Sequence, residues 1–352
     1  MKKFTMPSDF KKETIDQYYL INDKYADARI IETYGQMTEL NLKYSGRSSE
    51  LLPTMDYSRL EEYVNYSLNR GIEFNYTLNA SCMGNFECSI NGQKEIKELV
   101  MRLYNMGIDT FTVTLPAIME IILDTIPKAN IVVSTICEVN SVSKVNFYKK
   151  MGAKRIVVDA DITRNLTLLK IMKENFEGIE IMLNNMCMKD CIYKKFHYNH
   201  DSHYIDEHMG SNYYLARCIA QKYSSKENVL KLNWVRPEDI NLYQQIGIDI
   251  YKIQGRTCVV NGQPWKAVEA YINESYVGNL SDLLMVFSPS PLSTYIDNKK
   301  LGGFLQGFCL NRVRDDLDCE RCDYCKKYAE NSVEVSEFNQ MILEVYKNMK
   351  LF

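Results

Sequence analysis

The strongest constraint on this chain is an alternation that recurs eight times: a short apolar run, then an amphipathic stretch at helical spacing. The runs are Ala28–Tyr34, Ile72–Asn79, Ile108–Thr114, Ile131–Ile136, Lys154–Asp159, Ile179–Asn184, Val229–Trp234 and Ile248–Gln254. Helical patterns follow them near 57–69, 93–106, 116–126, 141–151, 163–176, 212–222, 236–246 and 264–274. Short runs of this kind read as buried strands, and strands that alternate with helices imply a parallel sheet. Eight such units are the number that closes a (β/α)8 barrel. An open doubly wound sheet is the alternative, but its glycine-rich phosphate fingerprint follows none of the strands. Gly71, Gly107, Gly152, Gly178 and Gly247 stand where helices should end, and Pro116 and Pro237 where helices should begin. The expected fold is therefore an α/β, TIM-type barrel over residues 1–275, with an N-terminal lead-in. A C-terminal extension, 276–352, carries a cysteine-rich segment packed on the barrel.

A barrel places its active site at the C-terminal ends of its strands. Those ends carry Glu32 and Tyr34, then Asn79, Ser81 and Cys82, then Thr114, Thr135, Cys137 and Glu138. Asp159 and Asp161 follow, then Asn184, Asn185 and Cys187, then Trp234 and Arg236, and finally Gln254 and Arg256. Strands that run apolar and finish polar describe a dry barrel with a wet mouth. Arg236 and Arg256 suit bidentate binding of a carboxylate or phosphate, with Asn79 as a further substrate contact. Glu32, Asp159 and His203 are candidates for proton transfer.

Eleven cysteines in 352 residues are unevenly placed. An odd count in a long chain argues against a secreted disulfide framework and for metal binding by some of them. Cys187 and Cys191 lie directly after the sixth predicted strand, and all four histidines, His197, His200, His203 and His208, follow closely. That loop suits iron–sulfur or zinc ligation. The spacing differs from that of radical S-adenosylmethionine enzymes, whose third cysteine would fall where Lys194 stands. A second run, Cys319, Cys322 and Cys325, has C-x2-C-x2-C spacing with Cys309 upstream, again suiting iron–sulfur or zinc. Cys218 shares a helical face with Leu215, Ile219 and Lys222 and reads as a core residue. Cys82, Cys88, Cys137 and Cys258 read as packing residues when taken singly.

The net charge of −3 implies no global field toward nucleic acid or an anionic membrane, though a local basic patch would suffice for RNA. The N-terminal residues lack an apolar signal region, and no run is long enough to span a bilayer. A cytoplasmic protein without membrane insertion is expected.

Cysteines after the sixth strand, together with KIQGR at 252–256, make the chain resemble the collagenase-like peptidase family U32. The stretches IEFNYTLNASC at 72–82, WVRPEDINLYQQIGIDIYKIQGR at 234–256 and KFHYNHDSH at 195–203 point to one branch of it. The resemblance implies a four-iron, four-sulfur cluster, and two functional labels. One is peptidase; the other is oxygen-independent hydroxylation of ubiquinone precursors or RNA bases, with prephenate as oxygen donor in some relatives. It also implies that Cys187 and Cys191 are a first ligand pair, with a shorter gap than the family's, and Cys218 a third ligand. The family's fourth cysteine has no counterpart near Ile240. Cys309, Cys319, Cys322 and Cys325 would form a second centre, with zinc as its alternative occupant. The expected function is redox chemistry or hydroxylation on a small molecule or an RNA base, alone or with a paralogous heterodimer partner. Peptide hydrolysis is the alternative, although neither H-E-x-x-H nor G-x-S-x-G occurs. A metal-stapled, non-catalytic partner protein is the third reading.

Overall fold

The structure, a computed structural model, describes residues 1–38, 44–47, 52–203, 213–290, 294–312, 322–335, 344 and 348, with the backbone alone over 309–312. Eight parallel strands close a barrel: β1 (Lys2–Pro7), β2 (Ala28–Gly35), β3 (Glu73–Leu78), β4 (Thr110–Val113), β5 (Asn130–Val133), β6 (Arg155–Val157), β7 (Ile179–Met182) and, after an excursion, β10 (Ile250–Lys252), which pairs with both β7 and β1. Helices α1 (Lys12–Lys24), α2 (Tyr57–Leu68), α3 (Ile90–Asn105), α4 (Pro116–Thr125), α5 (Val142–Lys150) and α6 (Leu166–Asn175) follow the first six strands. Between β7 and β10 come β8 (Asn184–Met188), α7 (Lys194–Ser202), α8 (Tyr213–Tyr223), β9 (Leu232–Trp234) and α9 (Ile240–Gln245); α10 (Pro264–Ile272) follows β10.

The (β/α)8 barrel is the architecture expected from the sequence, but one strand is different. The N-terminal residues are barrel strand β1 and not a lead-in. The run expected at Val229–Trp234 instead supplies β9, which pairs antiparallel with β8 as a two-stranded ribbon. Two lysines and a proline disguise β1. Lys2 is nonetheless buried, its ammonium donating to Ile272 O and Glu274 Oε1, each at 2.8 Å. Four of the five helix-closing glycines have positive φ; Gly178 does not, and is required because a Cβ there would stand 2.1 Å from Lys154 O.

Two separate apolar groups exist. The large one fills the space between barrel wall and helices with Phe4, Ile30, Tyr76, Phe111, Ile156 and Tyr251 among others. The small one, Val132, Val157 and Met182, lies on the alternate, inward-facing positions. The rest of the barrel interior is polar. The register of β2 slips between Phe4 and Thr5, leaving Ile31 as an extra residue. This bulge changes the phase of the strand: Ile30 faces the helices, while Glu32 and Tyr34 face inward. Inside, Arg155 pairs with Glu32 and, at 2.9 Å from its Nε, with Glu180 Oε2. The Glu180 contact misses hydrogen-bond angles and is a Coulombic pair only. Thr5 donates to Glu180 at 2.6 Å, Asn75 to Glu32 at 2.9 Å, and Thr112 to Asn75 at 2.8 Å. Burial works against the charge on Arg155, but Glu32 and Glu180 outweigh it and hold the guanidinium above its ordinary pKa.

Beyond α10, α11 (Leu280–Leu284) is anchored where Asn184 Nδ2 donates to Leu284 O at 2.9 Å. Helices α12 (Phe304–Arg312) and α13 (Tyr324–Ser332) dock through Phe304, stacked on Trp234 of β9 and on Tyr324. Arg164 lies 4.5 Å from the Trp234 ring centroid and completes that stack. Among the described residues no helix is long and apolar enough to cross a membrane.

Replacing Arg155 by methionine would leave two carboxylates buried without their cation. Urea unfolding of Arg155→Met should show a loss of about 3–5 kcal/mol. A loss below about 1 kcal/mol would mean that the interior does not depend on this cation.

Candidate functional site

The end of β10 contributes Lys252 and residues 254–258 to the barrel mouth. Lys252 faces inward, and Ile253 turns back into the outer core. Gln254 is fixed by Asn184, which accepts from its backbone N at 2.7 Å. Gly255 has φ +135, a conformation that L side chains rarely adopt, and this turn swings Arg256 back over the barrel axis. A cavity of about 160 Å³ opens there, lined by Lys252, Arg256, Arg47, Asn79, Tyr34 and Tyr198 along with smaller residues of neighbouring strands. Val157, Met182 and Ile136 form its apolar side. No lining residue among those described is acidic, and none is histidine.

Three cations meet at this cavity. Arg256 is buried and donates to Gln36 Oε1 and Thr77 Oγ1, both at 2.9 Å, and to Asn79 Oδ1 at 3.4 Å. Among the described residues no carboxylate stands at ion-pair distance from it. Burial, with Arg47 adding to the effect, lowers its pKa to about 10, so it stays charged at neutral pH. Arg47 arrives from the loop after β2, over Tyr198, and reaches Asp201 at 3.4 Å. Gly46 beside it packs so closely on Asn79 that a Cβ would lie 2.5 Å from the Asn79 carbonyl oxygen. Lys252 is 7% exposed, and among the described residues its Nζ has no hydrogen-bond partner. That nitrogen sits 3.4 Å from the Tyr34 ring centroid and 3.9 Å from Glu180 Oε1. Burial lowers its pKa to about 8 against the opposing pull of Glu180 and Glu32.

Asn79 and Arg256 reach the cavity together. The strand-end residues Tyr34, Thr135 and Gln254 line it with them, while the other candidates for substrate binding and proton transfer are elsewhere. Glu32 is 1% exposed and engaged by Arg155 and Asn75, deeper in the barrel than the mouth. Asp159 and Asp161 hold Lys194 at 2.9 and 2.8 Å, which pins the start of α7 to the rim. His203 is exposed at the end of α7 and does not line the cavity. Arg236 is buried in a two-pronged pair with Asp239, both contacts at 2.9 Å, and donates to Asn298 O at 3.1 Å. It ties the C-terminal extension to the barrel and is not placed to meet a substrate. Lys252, Arg47 and Tyr198 were missed. Lys252 had a readable signal, a lone cation closing the apolar strand IDIYK.

The predicted thiol ligands are partly gathered. Cys187, at the end of β8, lies within electrostatic reach of Cys218 on α8 and of Lys222 one turn later. Burial pushes the Cys187 thiol above its ordinary pKa; Lys222 opposes this and Cys218 adds to it. Cys191 packs against the edge of the main core. Among the described residues no three Cys, His, Asp or Glu side chains are grouped closely enough to hold a metal ion. Cys187 and Cys218 would supply two of the four thiolates that a [4Fe–4S] cluster takes. Cys325 is buried on α13 and Cys322 half-buried before it. Cys319, the side chain of Cys309 and His208 lie outside the described residues.

Arg236→Gln should strand Asp239 and release the Asn298 contact, with a loss of about 3–5 kcal/mol in urea unfolding. Faster amide exchange at residues 298–301 should accompany it. An intact fold with lost ligand binding would instead make Arg236 a binding residue.

Three comparisons bear on this geometry. The sequence profile of Peptidase family U32 matches residues 41–271. An uncharacterized protease of Methanocaldococcus jannaschii, MJ1657, is 28% identical over 295 residues, covering 83% of this chain and 86% of that protein. The solved U32 peptidase Mk0906 superposes with a TM-score of 0.51 at 16% identity, covering 72% of this chain and 92% of the other, which is a likeness of fold. With the family profile spanning the barrel wall from the loop after β2 to α10, KIQGR included, the chain belongs to Peptidase family U32.

Proposed function

We propose that this chain is a barrel enzyme that binds a compact anionic substrate at its mouth and carries out redox chemistry there, of the oxygen-independent hydroxylation type. The observation that carries the reading is the convergence of Arg256, Lys252 and Arg47 on a cavity whose described lining holds no carboxylate. Such a site attracts an anion because the ligand supplies the missing counter-charge and takes up unused donors. The cavity of about 160 Å³ is comparable to one that accepts a single benzene-sized ring, about 150 Å³. A compact carboxylate or phosphate fits that space; an extended peptide does not.

Peptide hydrolysis is the rival reading, and the names of the relatives favour it. It needs a nucleophile beside a base or a metal-activated water. Cys258 lines the cavity, but burial raises its thiol pKa, and no histidine or carboxylate lines the cavity with it. Iron–sulfur ligation is the cofactor part of the proposal. What supports it is the Cys187–Cys218 pair, near Arg47 and Tyr198 at the rim. Because the full donor set is not assembled among the described residues, no step is assigned to the cluster.

Two measurements test the proposal. Benzoate titrated calorimetrically into the protein should bind, and Arg256→Met should weaken it about tenfold or more, the worth of one hydrogen bond to a charged group. Binding should also weaken as pH rises through about 8, where Lys252 loses its proton. An anion affinity indifferent to both would remove the reading. Anaerobic purification followed by iron, sulfide and absorbance measurements addresses the redox part. Iron that is lost in Cys187→Ser and in Cys218→Ser is expected, whereas a colourless protein replete with zinc would favour hydrolysis.

A further inference from the structure

We propose that Lys252 is a nucleophilic amine that condenses with the carbonyl carbon of a 2-oxo acid, whose carboxylate Arg256 holds, to form an imine in the barrel mouth. The inference rests on the anion-binding reading above and narrows its substrate to compounds that carry a carbonyl next to the carboxylate.

Three observations point this way. The Lys252 side chain lines the cavity, and its Nζ is buried with no hydrogen-bond partner among the described residues, resting 3.4 Å from the Tyr34 ring centroid, from which it would turn toward a ligand. A purely structural lysine among carboxylates would close on one of them; here Glu180 is at 3.9 Å, beyond hydrogen-bond reach, because Thr5 and Arg155 already occupy that carboxylate. Burial has also brought the amine down to about 8, so an appreciable neutral fraction exists near neutral pH, which is how enzymes prepare Schiff-base lysines. Arg256 and Lys252 line one cavity, and a 2-oxo acid presents its carboxylate and carbonyl on adjacent carbons, so one small molecule meets both.

The step balances without an oxidant or reductant. The Nζ lone pair attacks the carbonyl carbon, the N–C bond forms, and the C=O π pair moves to oxygen, which takes a proton. The resulting hydroxyl leaves with a second proton as water while the nitrogen lone pair closes the C=N bond. Overall, amine and ketone give imine and water. Both protons that leave in the water come from the amine nitrogen, so none has to be supplied by a neighbouring side chain.

The test treats the full chain with pyruvate and sodium borohydride, followed by intact-mass measurement and peptide mapping. L-lactate, with the same carboxylate but no carbonyl, is titrated in parallel by calorimetry. The expected result is one carboxyethyl group on Lys252, formed faster as pH rises toward 8, absent in Lys252→Arg and reduced tenfold or more in Arg256→Lys. Should Lys252→Arg fail to fold, Arg256→Lys and competition by lactate still decide the matter. Lactate that binds with no adduct from pyruvate overturns the imine and leaves the anion site standing. If neither anion binds, both inferences fall. Adducts spread evenly over surface lysines also overturn the proposal.

Discussion

The rest of the structure depends on a charge pairing inside the barrel. A (β/α)8 interior is ordinarily packed with branched apolar side chains, yet here Glu32, Glu180, Arg155 and Lys252 occupy it beside only three apolar residues. Two carboxylates buried at 1% and 0% exposure are costly unless a cation stays with them. Arg155 meets both, while Thr5 donates to Glu180 and Asn75, itself held by Thr112, donates to Glu32. Arg155 alone cannot balance two negative charges. Lys252 supplies the second positive charge while standing too far from Glu180 to be hydrogen-bonded. The floor of the mouth is thus an incompletely satisfied network, and its one loose member faces the cavity.

Above that floor the site is assembled by features at the strand ends, each with a local cause. The bulge at Ile31 turns Tyr34 inward under the Lys252 ammonium. The turn at Gly255 returns Arg256 to the axis, and the close packing of Gly46 on Asn79 positions the loop that carries Arg47. Lys194, gripped by Asp159 and Asp161, closes the rim from the side of α7; burial opposes its charge, but the two carboxylates hold its pKa above the ordinary value. The thiol pair is borne by the β8–β9 ribbon and α8, within the excursion between β7 and β10. The excursion, through Tyr198, and the barrel wall both contribute to one mouth.

Much of this was legible in the sequence, and the gaps have physical reasons. Seven of the eight barrel strands follow from apolar periodicity, as do α2 to α6 and α8 to α10, whereas α1 and α7 lie outside the helical patterns read from the sequence. Lys2–Pro7 escaped because two lysines and a proline break its hydropathy pattern, although the Lys2 ammonium is buried against Ile272 O and Glu274. Leu232–Trp234 was taken into the barrel because periodicity reports burial and not the pairing partner. Asn79 and Arg256 could be placed at the mouth from strand ends alone. Glu32 could not be placed correctly, since its facing is decided by a bulge that leaves no mark in the pattern of RIIETY. Arg236 had a visible warning: Asp239 lies three residues on, at the spacing where a short helical turn brings the two side chains together. Cysteine spacing identified Cys187 and Cys218 as neighbours-to-be only through the family resemblance, and the grouping expected with Cys191 does not form among the described residues.

The small apolar patch of Val157 and Met182, with Ile136, stands in the same chamber as the three cations. A chamber with one greasy flank and one cationic flank imposes a direction on whatever enters. A guest with a charged head and a hydrocarbon body can lie only one way round, and one charged at both ends must forfeit the hydration of its second head. Selectivity of this sort requires no dedicated contact to the guest's tail. It comes from the uneven division of a single small volume.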